Sequence, residues 1–280
     1  MKLKRIERDG VPHVLAQDGG GDWRDVTDVA GDLTGASLGA GALARLAEVN
    51  LSARPVVAGA HRLLPCIAGV GKFLGIGLNY SDHAEEMGMA HPEHPILFLK
   101  ATSSIAGAED DIVIPRGAAC VDWEVELGVV IGQAAKYVSQ ADALRHVAGY
   151  CVVNDVSERT FQTALSGQWT KGKSCDSFGP LGPWFVTADA VPDPQDLELW
   201  LDVNGERRQA GNTGNMIFGV ARIISHLSDL MTLHPGDVIA TGTPAGVGMG
   251  RTPALYLQPG DRVGAGIAGL GTQNQKVRAD

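Results

Sequence analysis

Aromatic residues make up only 5% of this 280-residue chain, and cysteine is scarcer still: Cys66, Cys120, Cys151 and Cys175, none of them in a CxxC pair. Such spacing suggests neither a zinc knuckle nor a disulfide framework, and the four thiols read as reduced and mostly buried. No stretch approaches the ~20 continuous apolar residues of a bilayer span. The start, MKLKRIERDGV, lacks the apolar core and small-residue cleavage site of a secretory signal, so the cytoplasm is the expected location. Basic residues are outnumbered, 23 Lys plus Arg against 32 Asp plus Glu, which gives a formal charge of −9. That deficit disfavours nucleic acid or an anionic membrane as partner and points to a small molecule or a metal. Hydrophobic residues at 44% and charged residues at 20% exclude the disordered class.

Glycine is in surplus, with 37 residues and no G-X-Y period. Tight turns and close backbone approaches are expected instead of a collagen repeat. Residues 1–58 read as a small N-terminal cap, with strand-like KLKRIERDGVPHVLAQ and GDWRDVTDV joined by the turn at Asp18–Gly21, then a helical GALARLAEV. From about residue 70 to 280 the chain turns to short Val- and Ile-rich runs broken by Gly, Pro and Asp, among them KFLGIGLNY, HPILFLK, DWEVELGVVIG, GYCVVND and GDVIATG. The fold class expected is α+β, mainly β. Helices are predicted near 139–149, around ERTFQTAL, and over 215–231, where Ile217, Val220, Ile224, Leu227 and Met231 form one apolar stripe. His234–Asp237 and Gln258–Asp261 both read Pro-Gly-Asp after their first residue, a common turn sequence and not a repeat.

Asp122-Trp-Glu-Val-Glu-Leu127 carries the strongest chemical signal. In an extended strand Glu124 and Glu126 share one face, about 6.6 Å apart along the chain, with Val125 and Leu127 on the other. A surface strand would leave them solvated; the apolar run that follows argues that they enter a buried strand and need a cation. Asp155 ends another apolar run and is a third candidate ligand. Arg159 and Gln162, at plus four and plus seven, share its face if the segment is helical, although an exposed Asp–Arg pair would look the same.

Three further stretches bear on chemistry. Gly167–Ser174 matches the phosphate-loop pattern GxxxxGK[ST], but no strand precedes it, and Pro180 and Pro183 deny it a following helix, so nucleotide binding is not expected. Lys173 remains as a cation on a rigid loop. His83 and Glu86, at i and i+3, suit a general base with its carboxylate partner, or a surface pair. Met87, Met89, Pro92 and Pro95 beyond them read as a lid. Finally, Thr241–Gly248 follows a strand, and its amides with the Thr243 hydroxyl could hold a carboxylate.

In order along the chain, GLNYSDHAEE, DWEVELGVVIG, NDVSERTFQ, WTKGKSCDSFGPLGPW and TGTPAGVG resemble the fumarylacetoacetate hydrolase family over about residues 70–275. The resemblance implies a β-sandwich roll with few helices, assembled as a homodimer. It implies that Glu124, Glu126 and Asp155 ligate Mg²⁺ or Mn²⁺, that His83 and Glu86 handle water, that Lys173 faces the substrate, and that Arg159, Gln162 and Thr243 contact it. The reaction implied is metal-dependent C–C hydrolysis of a 2,4-diketo acid to pyruvate and a second acid. The long segments after Lys171 and Thr241 look most like hydrolases of 2,4-diketo-3-deoxy sugar acids such as the rhamnonate or fuconate. Decarboxylases, hydroxymuconate-type isomerases and ureidoglycolate lyases share the metal face. A non-catalytic binder of chelating acids would keep the three carboxylates without the His83–Glu86 pair.

Overall fold

The computed structural model describes the backbone of residues 1–280 and every side chain except that of Ala40. It is mainly β, as the short apolar runs require. A 12-stranded sheet is centred on Val125–Ile131, which pairs antiparallel with Val147–Asn154 on one side and Val238–Ala240 on the other. Beyond Val238–Ala240 lie Phe73–Gly77, in parallel, and then Ile96–Lys100. A five-stranded sheet, built on Glu198–Val203, Arg262–Ile267 and Gly271–Ala279, packs against one face of the large sheet.

Strand alternation divides the interior into two cores. Val125, Leu127 and Val129, with Tyr150 and Val152, join Leu199, Leu201, Val263 and Ala265 of the smaller sheet. Val130, Cys151 and Val153, on the opposite face, join Leu3, Val14, Val26, Leu33 and Leu46. The N-terminal region expected as a separate cap therefore supplies half of the second core. It is also continuous with the sheet, because Lys2–Arg8 pairs with Phe185–Thr187. Its two expected strands are three: Lys2–Arg8, Val11–Gln17 and Trp23–Asp25.

The helix expected near 139–149 does not form. A single 3-10 turn at Ala143–His146 leads straight into strand Val147–Asn154, since Val147, Ala148, Tyr150 and Cys151 are claimed by sheet packing on both faces. The last long helix is Val220–Leu230, shorter at its N-terminal end than its stripe suggested. It buries Val220, Ile223, Ile224 and Leu227 in the first core. Among the described residues no helix is long and apolar enough to cross a membrane.

The two Pro-Gly-Asp turns are built alike. In each the aspartate carboxylate accepts the backbone N–H three residues earlier, His234 to Asp237 at 2.7 Å and Gln258 to Asp261 at 2.8 Å. Gly236 and Gly260 take the positive φ that the third turn position demands. Asp237 does more, because it also accepts the Lys72 N–H at 2.8 Å and pairs with the Lys72 ammonium at 2.6 Å. It thereby pins the start of the parallel pair Phe73–Gly77 and Val238–Ala240. Losing a buried carboxylate that carries several charge-assisted bonds costs about 2–4 kcal/mol. Asp237→Ala is expected to lower the urea midpoint accordingly, and an unchanged midpoint would show that the turn does not hold the pair.

Candidate active site

The large sheet delivers its acidic residues to one place. Glu124 and Glu126 flank the start of the central strand, Asp155 follows the end of Val147–Asn154, and the pairing of Val125 with Asn154 sets them side by side. One carboxylate oxygen from each of the three lies within 4.8 Å of the others, and all three residues are buried. The same-face reading of the Glu-x-Glu pair is thus the one the fold adopts.

Two lysines and an arginine close around these carboxylates. Lys173 Nζ donates to Glu124 Oε2 at 2.7 Å and to Asp155 Oδ2 at 2.6 Å. Lys100 Nζ donates to Asp155 Oδ1 at 2.5 Å and to the carbonyls of Val156 and Lys173. Arg159 spreads its guanidinium over Asp122 at 2.9 Å, Glu124 at 2.6 Å and the Gln162 carbonyl oxygen at 3.0 Å. Burial alone would raise the Glu124 carboxyl, but Lys173 and Arg159 outweigh it and hold Glu124 at about 2. Burial would likewise lower the Lys173 ammonium, and Asp155 and Glu124 raise it instead.

Glu126 is treated differently. Its recorded hydrogen bond is one, from Gly242 N–H to Oε2 at 2.8 Å. Burial, and then the charges of Asp155 and Glu124, push its carboxyl well above the usual carboxylate range. A carboxylate so placed needs a further cation, and three convergent oxygen donors suit a hard divalent ion. The donor set and the under-compensated Glu126 both fit a metal.

His83 and Glu86 lie on the short helix Ser81–Glu86. His83 Nδ1 is 3.0 Å from Glu86 Oε2, and Glu86 Oε1 accepts the Gly246 N–H at 2.9 Å. His83 lines the same cavity of about 200 Å³ as Glu124, Glu126, Arg159, Gln162 and Lys173. That volume lies below the roughly 300–1,000 Å³ of drug-sized sites and suits a small molecule.

The glycine-rich loop holds carboxylates, but they are the protein's own. Gly242 N–H serves Glu126, Gly246 N–H serves Glu86, and the amides of Gly248 and Met249 serve Asp122 at 2.7 and 3.0 Å. Thr243 lines the cavity, yet its hydroxyl gives its proton to the Val125 carbonyl and accepts from Gln209 Nε2. It has no proton left to donate to a substrate carboxylate. Arg159 similarly spends its hydrogen bonds on protein partners, and Gln162, whose carbonyl oxygen it engages, lines the cavity beside it. The phosphate-loop match is a coincidence of letters: Lys173 ends the single turn Thr170–Lys173 and faces two carboxylates.

Two buried participants escaped sequence reading, Lys100 and Asp122. Period-two alternation in Ile96–Lys100 puts Ile96, Phe98 and Lys100 on one face, and the first two line the cavity, so a lysine ending that run was the available signal. Asp122 opens the Glu-x-Glu stretch but looks like an ordinary strand-start aspartate until the amides of Gly248 and Met249 reach it.

The profile described as Fumarylacetoacetate (FAA) hydrolase C-terminal matches residues 72–278. A Burkholderia multivorans protein that carries the provisional description of hydrolase is 55% identical over 280 residues, covering 100% of this chain and 99% of its own. The solved fumarylacetoacetate hydrolase of Exiguobacterium antarcticum superposes with a TM-score of 0.90 at 38% identity, covering 100% of both chains. The maleylpyruvate hydrolase of Sphingobium, solved with manganese(II) and pyruvate, superposes with a TM-score of 0.83 at 29% identity, covering 100% of this chain and 99% of its own. Isomerases also occur among the solved relatives.

Burial pushes the Glu126 carboxyl up towards its protonated form, whereas a divalent ion at the triad would favour its carboxylate. Binding is therefore expected to release protons, and affinity to rise with pH until Glu126 ionises unaided. Titration calorimetry with Mn²⁺ in buffers of different ionisation enthalpy reads this directly. Proton release that persists undiminished in Glu126→Gln would contradict it. With its motifs, site and relatives in agreement, the chain belongs to the fumarylacetoacetate hydrolase family.

Proposed function

We propose that this chain is a Mg²⁺- or Mn²⁺-dependent hydrolase that splits the C3–C4 bond of a 2,4-diketo acid into pyruvate and a second carboxylic acid. The observation that carries this reading is that His83, backed by Glu86, lines the same cavity as Glu124 and Glu126 of the carboxylate triad. Glu124, Glu126 and Asp155 would hold the ion, which when bound polarises the 2-keto oxygen and acts as a Lewis acid.

The chain's own residues supply the rest. Glu86, fixed by the Gly246 amide, holds His83 through Nδ1, which leaves Nε2 as the base. His83 takes a proton from water as the water oxygen bonds to C4. The Lys173 ammonium compensates the charge that develops on the C4 oxygen, and the Gln162 amide donates to the substrate carboxylate. The C3–C4 bond then breaks with its electron pair on C3, and the His83 imidazolium returns the proton there. C4 leaves as the second carboxylic acid. An isomerase or decarboxylase needs no attacking water, so the anchored His83–Glu86 pair favours hydrolysis. The sugar-acid substrates implied by the resemblance share this diketo-acid head; the far end of the cavity bears on the rest of the molecule.

Removing general-base assistance costs 10²- to 10⁴-fold in rate, about 3–5 kcal/mol. His83→Ala and Glu86→Gln are expected to lose pyruvate production by that factor while binding Mn²⁺ as tightly as the unaltered protein. Glu124→Ala is expected to lose both. A coupled lactate dehydrogenase assay and calorimetry separate the two properties. Full turnover after EDTA treatment, or loss of metal in His83→Ala as complete as in Glu124→Ala, would refute the assignment.

A further inference from the structure

We infer that the second half of the substrate, the acyl group beyond C4, is an apolar alkyl or aryl chain and not the polyhydroxylated chain of a sugar acid. This rests on the diketo-acid reading above and extends it to the specificity of the same cavity.

Strand Phe73–Gly77 carries Gly75 and Gly77 on one face, which leaves that side of the strand bare. Cβ atoms there would lie 2.2 Å from the Phe98 and Trp169 rings respectively, so both glycines make room for aromatic rings laid against the backbone. The rings brace each other, with centroids 5.7 Å apart and planes tilted by 54°. Both line the cavity, and Met87, Met89, Ile96 and Met249 continue its wall. Phe98 also faces the Lys173 ammonium, 4.9 Å from the ring centroid, so the apolar wall begins beside the reacting centre.

Polar lining groups offer a sugar chain little. The Thr163 hydroxyl donates to the Arg159 carbonyl and the Thr243 hydroxyl to the Val125 carbonyl. Arg159 is divided among Asp122, Glu124 and Gln162. His83 and Lys173 act at C4, and the Gln162 amide serves the acid head. Several hydroxyls placed against methionine, isoleucine and indole would lose water without gaining partners. Methylene groups there gain burial, about fourfold in affinity for each. Methionine suits such a wall because it adapts to chains of different shape.

Two ligand series test this. N-alkyloxamates imitate the chelating head and cannot be cleaved; in calorimetry with Mn²⁺ present, affinity is expected to rise roughly threefold to fourfold per methylene from methyl to butyl. Among 2,4-dioxo acids, butyl- and phenyl-ended substrates are expected to exceed a trihydroxybutyl-ended one in kcat/KM by at least 10²-fold. Trp169→Ala, and independently Met249→Ser, should compress the ratio between the longest and shortest alkyl ligands in both series. Equal or better use of the hydroxylated chain, or chain-length-independent oxamate binding, would overturn the inference. Graded oxamate binding without cleavage of any dioxo acid would instead remove the hydrolase reading while keeping the apolar wall as the part of the cavity that selects the ligand's tail.

Discussion

Everything at this site depends on compensating charge that has been taken out of water. Four carboxylates, Asp122, Glu124, Glu126 and Asp155, are buried together with three cations, Lys100, Arg159 and Lys173. Isolated, any of these would be held in its charged form only at great cost. Paired, three of the acids have two or more basic or amide donors each, and Glu126 has one amide. The imbalance is local and directional: it makes the triad a place for positive charge and makes Glu126 the residue that registers its arrival.

The fold meets that demand mainly with backbone. The loop after Val238–Ala240 aims successive amides at Glu126, Glu86 and Asp122, so the acid that would meet the metal, the acid paired with His83, and the acid that anchors Arg159 are set by one segment. Its glycines let the chain come close enough to do so. Because that loop leaves the strand paired with the central one, displacement of either strand would disturb the carboxylate triad and the His83–Glu86 pair together. The N-terminal region contributes from the other side, by covering the second face of the same sheet.

Much of this was legible in the sequence and some was not, for physical reasons. The Glu-x-Glu pair and Asp155 declared themselves by breaking an apolar pattern at a strand end, His83 and Glu86 by their i, i+3 spacing, and Lys173 as the cation of a glycine-flanked loop. The sheet partners of residues 1–58 were hidden, since pairing between Lys2–Arg8 and Phe185–Thr187 joins segments some 180 residues apart and leaves no local trace. The helix expected near 139–149 lost to sheet packing, which outweighs local propensity where both faces are buried. Thr243 and Arg159 were identified as residues of the site, but only the fold shows that their polar atoms are already engaged. Lys100 and Asp122 act through contacts that no spacing rule connects.

Anomalous diffraction from crystals grown with Mn²⁺ would locate the ion. A single strong peak is expected among Glu124, Glu126 and Asp155, with both glutamates and the aspartate in direct contact and the Lys173 ammonium moved from its position between Glu124 and Asp155. A peak ligated by His83 or Glu86, or no peak at the triad while Lys173 still bridges Glu124 and Asp155 at saturating Mn²⁺, would contradict that placement.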